Sequence, residues 1–188
     1  MLHLNNKVPK CLCFILILLY LIILFSFTYL VVSPKKVKFY ITNASLIEFA
    51  YTNNTLNYNF VLNIKVTNPN HLVAIYHSHV EALALYHDVE FSSQILGTFF
   101  QDHHKTTVLN PVFKGVMPLS EDQISKMKFE SSSIYPVGVK LYMKNRYKVG
   151  SININPEMKL KVHCDLLVPL ASYNEILGYP FRETKCHA

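Results

Sequence analysis

The stretch "LNYNFVLNIKVTN", Leu56 to Asn68, decides how the chain is read. Leu56, Tyr58, Phe60, Leu62, Ile64 and Val66 fall on one side of an extended backbone. Asn57, Asn59, Val61, Asn63, Lys65 and Thr67 fall on the other. Alternation with a period of two over such a length predicts an antiparallel strand with one buried face. Working outward, strand-like segments recur at 36–41, 80–91, 106–117, 137–148, 149–155 and 159–168, with proline or polar residues between them. About seven such strands predict an all-β antiparallel sandwich of the fibronectin type III or immunoglobulin-like kind. "PLSEDQISKMKF" interrupts the pattern. Its Ser120 and Gln123 have capping-box spacing, and Glu121 and Asp122 lie in the first turn, so one short helix is expected there. No second domain, low-complexity linker or internal repeat is visible.

Before the strands stands "CLCFILILLYLIILFSFTYLVV", Cys11 to Val32, 22 residues without a charge. As a helix it is roughly 33 Å long, against a hydrocarbon core of about 30 Å. A cleaved signal peptide would have an apolar region of about 7 to 15 residues and a small-residue cleavage site, and neither is present. The segment therefore reads as a single transmembrane anchor, and Pro34 disfavours helix beyond it. Residues 1–10 form a short tail, 11–32 the anchor, and 33–188 a single domain with its own core.

Charge does not settle the orientation, because Lys7 and Lys10 face Lys35, Lys36 and Lys38 across the apolar run. Other features lean one way. Asn43-Ala44-Ser45 and Asn53-Asn54-Thr55 are glycosylation sequons, and Cys164 and Cys186 are an even set of cysteines beyond the anchor. The working topology is a cytosolic tail and an exoplasmic domain. Cys164 belongs to the inward set of its strand, so it is either a core thiol or, in an oxidising compartment, the partner of Cys186. Cys11 and Cys13, at the start of the anchor, read equally as palmitoylation sites and as small apolar helix residues.

"NPNHLVAIYHSH", Asn68 to His79, runs from a turn into a strand. Pro69 has no amide to give a ladder, and asparagines tolerate turn geometry, so a corner explains its first half. His77 and His79, two apart, would share one face of a strand, an arrangement that can present two imidazoles to a metal. His71, His87, His103 and His104 lie near in sequence, but no zinc-motif spacing accompanies them, so no metal or cofactor is assigned.

The five glycines are too scattered for a phosphate loop, and neither a Gly-x-Ser-x-Gly elbow nor a His-Glu-x-x-His helix occurs. The chain is read as non-enzymatic, although a spatially assembled triad is not visible to sequence. Formal charge is +6; without Lys7 and Lys10, 16 basic and 12 acidic side chains remain, a domain near +4. Lys140, Lys144, Arg146 and Lys148 line one strand segment, and Lys159 and Lys161 another. They are either a solvated face that discourages edge pairing, or a surface for acidic polysaccharide or anionic lipid headgroups. Nucleic acid is disfavoured by the topology.

The region from Asn68 to Leu109 resembles the plant NHL group, the harpin-induced and non-race-specific-disease-resistance-like proteins, which carry a group-two late-embryogenesis-abundant (LEA) domain behind an N-terminal anchor. Asn68-Pro69-Asn70 matches the group's Asn-Pro-Asn, Ile75-Tyr76 its Ile-Tyr, and Tyr86 the aromatic of the next strand. The segment from Phe100-Gln101 to Thr106-Thr107 matches the group's segment before its threonine strand, and "KLKVHCDLLV", with Cys164, resembles its late strand. The sequence departs at His77 to His79, where the group more often has tyrosine and aspartate. The resemblance implies a fibronectin-like sandwich at the plasma membrane, connected with defence or stress responses and acting by contact with a protein or a cell-wall polysaccharide. The apolar helix also allows a homo-oligomer. The alternative is a lipid-binding or lipid-transferring domain, since the 13% aromatic content suits either a large core or a pocket.

Overall fold

The computed structural model describes residues 10–32, 35–129, 133–171 and 181–188. The chain divides into two compact units, Met1–Pro34 and Lys35–Ala188. In the first, α1 (Lys10–Val32) is the one helix among the described residues long and apolar enough to cross a membrane. Its described side chains from Leu12 to Tyr29 are exposed all round, as expected of a helix whose solvent is hydrocarbon. Ser33 and Pro34, where the helix was expected to stop, and the tail up to residue 9 lie outside the described residues.

The second unit is built from β1 (Lys38–Thr52), β2 (Thr55–Thr67), β3 (Val73–Tyr86), β4 (Val89–Ile95), β5 (Phe99–Gln101), β6 (Thr106–Leu109), β7 (Val112–Pro118), α2 (Glu121–Met127), β8 (Ile134–Val149), β9 (Ile152–Pro169) and β10 (Thr184–Lys185). The first sheet runs β10-β1-β2-β6, with β7 also on β2; the second runs β4-β3-β8-β9, with β5 also on β3. All the strand pairings are antiparallel. The two inner faces share one core. In β2 the alternation holds: Leu56, Phe60, Leu62, Ile64 and Val66 are buried, and Tyr58 packs against them.

Ten strands among the described residues replace the expected seven because short turns end segments that read as continuous. Thr106 to Met117 reads as one strand; Asn110 and Pro111 divide it into β6 and β7 on the same edge of β2, where Pro111 has no amide to donate and its carbonyl accepts from Leu62 N at 3.3 Å. The segment 80–91 is a hairpin, not a strand. Tyr86 pairs with Val89, and His87 and Asp88 take φ of 46° and 62° between them, a left-handed pair of residue types that adopt positive φ more often than most others. Likewise Val149 pairs with Ile152 around Gly150 at φ 56°, so 149–155 straddles the turn between β8 and β9.

α2 follows its sequence signal. Ser120 Oγ accepts from Gln123 N at 3.3 Å, Gln123 Oε1 accepts from Ser120 N at 3.0 Å, and Met127 anchors the helix in the core. At the same end of the sandwich Phe49 meets Tyr86, Tyr135 and Phe91 edge-on, with centroids 5.0, 5.1 and 5.6 Å apart. Each such pair adds about 0.5–1.5 kcal/mol beyond area burial. The aromatic residues are used here to fill the space between the sheets.

Candidate functional site

The Asn68-Pro69-Asn70 corner is buried and fully bonded. Asn68 Nδ2 donates to Val73 O at 2.8 Å and Asp102 O at 3.1 Å, while its Oδ1 accepts from Asn70 N at 3.1 Å and Asn70 Nδ2 at 2.7 Å. Asn70 in turn holds both backbone polar groups of Lys35, donating to Lys35 O at 3.0 Å and accepting from Lys35 N at 2.5 Å. Two asparagines thus replace a missing ladder and tie the first residues of the domain to the β2–β3 corner. Ile75 is buried in the core, whereas Tyr76 is exposed on the outer face. The family motif is an architectural device with one surface residue.

The two histidines that open the next strand do not share a face. The register of β3 on β8 slips between His77 and His79, so Ser78 is a bulge that turns His77 inward and His79 outward. The expectation of two imidazoles presented together fails for that reason. His77 is fully buried. Its Nε2 lies 3.2 Å from Gln101 Oε1, and Gln101 Nε2 donates to Val66 O at 2.9 Å and Thr107 Oγ1 at 3.0 Å, which fixes the oxygen toward the ring and places the proton on Nε2. Burial pushes the ring's pKa below its ordinary value, outweighing the bonds to Asn145 and Gln101 that pull it up. A neutral ring needs a donor at Nδ1, where Asn145 lies at 2.7 Å, and Asn145 Nδ2 has no other partner among the described residues. Turning that amide so that Nδ2 meets Nδ1 satisfies both groups.

Elsewhere His104 Nε2 and His71 Nδ1 are 2.6 Å apart on the surface, and the charge of His104, ahead of desolvation and Lys35, holds the His71 pKa down. His103 contacts the Asp102 carboxylate, His79 lies 3.9 Å from Glu81, and His87 occupies the β3–β4 turn. No group of three or more His, Cys, Asp or Glu side chains converges as a metal site among the described residues.

Cys164 on β9 and Cys186, just after β10, form a disulfide with Cα atoms 4.5 Å apart. β10 pairs with β1 in the first sheet and β9 lies in the second, so the bond joins the two sheets across an edge. Cys186 N also donates to Phe39 O at 3.0 Å, and His163 and His187 exchange two backbone bonds of 2.8 Å. Asn43 is exposed in the middle of β1, and Asn53 occupies the left-handed first position of the β1–β2 turn, at φ 50°. Both sequons therefore decorate the first sheet. Cys13 is a free, exposed thiol of α1; the Cys11 side chain lies outside the described residues.

The outer face of the second sheet is cationic. β8 presents Lys140, Tyr142, Lys144 and Arg146 in alternation, and the register sets His163, Lys161 and Lys159 of β9 beside the first three. Lys161 stands over the Tyr142 ring at 5.6 Å and Arg146 over Tyr76 at 5.2 Å. Three carboxylates on this face are engaged: Glu157 with Arg146 at 3.3 Å, Asp165 with His163 at 2.8 Å, and Glu81 beside His79; Asp88, at the His163 end, has no ion-pair partner among the described residues. Lys140, Lys144, Lys159 and Lys161 pair with no carboxylate among the described residues. The lysines were visible in the sequence. The rings among them were not, because only strand register reveals that Tyr142 and Tyr76 share their face.

These features define a class, a disulfide-joined β-sandwich behind one apolar helix, with its charged side chains outside the core. Comparison with known proteins narrows it. NDR1/HIN1-like protein 10 of Arabidopsis thaliana is 36% identical over 152 residues, covering 78% of this chain and 66% of the relative. NDR1/HIN1-like proteins 3 and 2 of the same plant are 35% and 33% identical over 163 residues, 84% of this chain, and 70% and 68% of theirs. The chain belongs to the plant NDR1/HIN1-like, or NHL, family. It spans about two thirds of the length of the curated relatives it matches. No protein-family model matches it, so the LEA domain implied by the resemblance gains no support there. A protein from Archaeoglobus fulgidus of known crystal structure aligns over 70% of this chain and 95% of its own, at 14% identity and a TM-score of 0.30, too slight a likeness to bear on the fold.

Proposed function

We propose that this chain is a non-enzymatic, single-pass membrane protein of plant defence or stress responses, working by surface contact from an exoplasmic sandwich at the plasma membrane. Family membership supports the defence setting, and α1 supports the anchor. The observation that carries the contact reading is the division of the sandwich. Its inner faces are packed by buried aliphatic and aromatic side chains, while tyrosines and lysines that meet no carboxylate among the described residues stand on the outer face of the second sheet. The cavities found among the described residues are surface depressions with polar residues in their walls. This favours an external partner over the lipid-carrying alternative, which needs room for an acyl chain between the sheets.

The test has two arms. An endoglycosidase mobility shift in plant cells, abolished by Asn43→Gln with Asn53→Gln, together with protease sensitivity of intact cells, is expected of the exoplasmic topology; protection until permeabilisation refutes it. Loss of pathogen restriction in plants carrying Lys140→Gln/Lys161→Gln at normal protein level is expected of the contact reading. Native mass spectrometry that finds a stoichiometric lipid retained by the purified protein would favour the alternative.

A further inference from the structure

Three depressions line the outer face of the second sheet. One of about 270 Å³, at the end of the face, is walled by Gly138, His163, Asp165, Asp88 and Leu85; one of about 180 Å³ by Lys140, Tyr142, Lys161, His163 and His187; one of about 220 Å³ by Tyr76, Phe100, Arg146 and Lys148. The first two share His163, whose Nδ1 is buried and has no hydrogen-bond partner among the described residues. All three lie along β8, and at about 3.4 Å per residue the run from Gly138 to Lys148 extends roughly 34 Å. The face is a track and not a single pocket.

Its chemistry alternates. Lys140, Tyr142 and Lys144 point outward in turn, about 7 Å apart, which places an aromatic ring between two ammonium groups. A second pair of ammonium groups, Lys159 and Lys161, lies one strand away, about 4.8 Å. A tyrosine ring offers a flat apolar face with a polar tip, the surface on which a pyranose packs its C–H edge. An ammonium group between rings suits a carboxylate carried on the sugar. We propose that this face binds a linear acidic polysaccharide of the uronic-acid type. The polymer lies along β8, with its carboxylates on Lys140, Lys144 and Lys161 and its sugar rings on Tyr142 and Tyr76.

The proposal rests on the contact reading above and names its ligand. A phosphorylated headgroup would call for donors converging on one cavity, whereas these cations are spread along a strand. A bilayer surface would call for apolar side chains protruding among the lysines; the protruding ones here, Leu167 and Phe100, flank the row beside Pro136 and Tyr76, and Tyr142 between the lysines lies half-buried. Both sequons fall on the other sheet, so glycans there would leave this face open.

Purified full-length protein in neutral detergent micelles is titrated with oligomers of polygalacturonate, with their fully methyl-esterified form, and with vesicles containing phosphatidylserine. The free-acid oligomer is expected to bind at least about tenfold more tightly than the ester, and less tightly as salt rises. Lys140→Gln/Lys161→Gln is expected to weaken binding about tenfold, and Tyr142→Ala to weaken it severalfold while preserving the salt dependence. Lys35→Gln/Lys36→Gln, elsewhere in the domain, leaves it unchanged. Unaltered melting temperatures exclude misfolding of these exposed-site variants. Equal affinity for acid and ester, indifference to the three substitutions, or binding to vesicles alone overturns the proposal. If no oligomer binds and the lysine variants still lose pathogen restriction, the ligand is wrong and the contact reading stands.

Discussion

Replacing Cys186 by alanine removes the bond between the two sheets while leaving the Cys164 thiol in an apolar site that suits it. The bond closes a loop of 22 residues. For that length the chain-entropy account gives about 3.4 kcal/mol of stabilisation at 25 °C, with the mechanism itself model-dependent. The cost is not confined to the unfolded state. Cys186 N bonds Phe39 O, His187 exchanges bonds with His163, and β10 is only two residues long, so without the bond little else holds the edge of β1. A domain of this size loses about 2–4 °C of melting temperature per kcal/mol, which puts Cys186→Ala roughly 7–14 °C below wild type. Far-UV circular dichroism melts of full-length protein in micelles, at one scan rate, measure this. Hydrogen exchange adds a local reading, since the amides of Cys186 and His187 should lose protection before those of β2. A melt within about 2 °C of wild type, with mass spectrometry confirming the bond in the wild-type sample, refutes the reasoning.

His77→Leu leaves Gln101 Oε1 and Asn145 without their buried partner and is expected to cost about 2–4 kcal/mol in urea unfolding. The same residue sets a pH dependence. Because burial holds its folded pKa below 6.5, the unfolded chain binds more protons just below that pH, so its contribution is complete above about pH 6.5 and is lost as pH falls. A series of urea midpoints should show this decline in wild type and a shallower one in His77→Leu; parallel curves would sink the assignment. Asn68→Ala breaks four bonds at the corner and is expected to cost about 3 kcal/mol by the same measurement. Asn70→Ala should instead show itself locally, as faster hydrogen exchange at the Lys35 amide, and an unchanged rate there would contradict the bonding described.

The strand content and the pairing of inner faces were legible because alternation depends only on which side of a pleat a residue takes, and β2 displays it without interruption. The capping box was legible for a similar reason, since Ser120 and Gln123 act within one helical turn. Strand ends were not. His87-Asp88 carries a hairpin without the glycine that marks such turns, and Asn110-Pro111 divides a strand whose two halves remain on one neighbour. The bulge at Ser78 has no local signature, since register is set by the partner strand and not by the segment itself.

That bulge also explains why the outer face could not be assembled from sequence. One inserted residue sends His77 into a polar network of the core and returns Tyr76 and His79 to the surface, beside Arg146 and Lys144. Across the next hairpin, Lys140 and His163, Tyr142 and Lys161, and Lys144 and Lys159 become neighbours although 15 to 23 positions separate them in the chain. The face draws its residues from β3, β8 and β9, and only strand register brings them together. The same register that seals the interior with Leu141, Met143 and Val162 fixes the spacing of the lysines outside. A substitution that slipped β9 by one residue would carry Val162 and Cys164 to the surface along with the lysines inward. Selection for the core therefore holds the charged face in place.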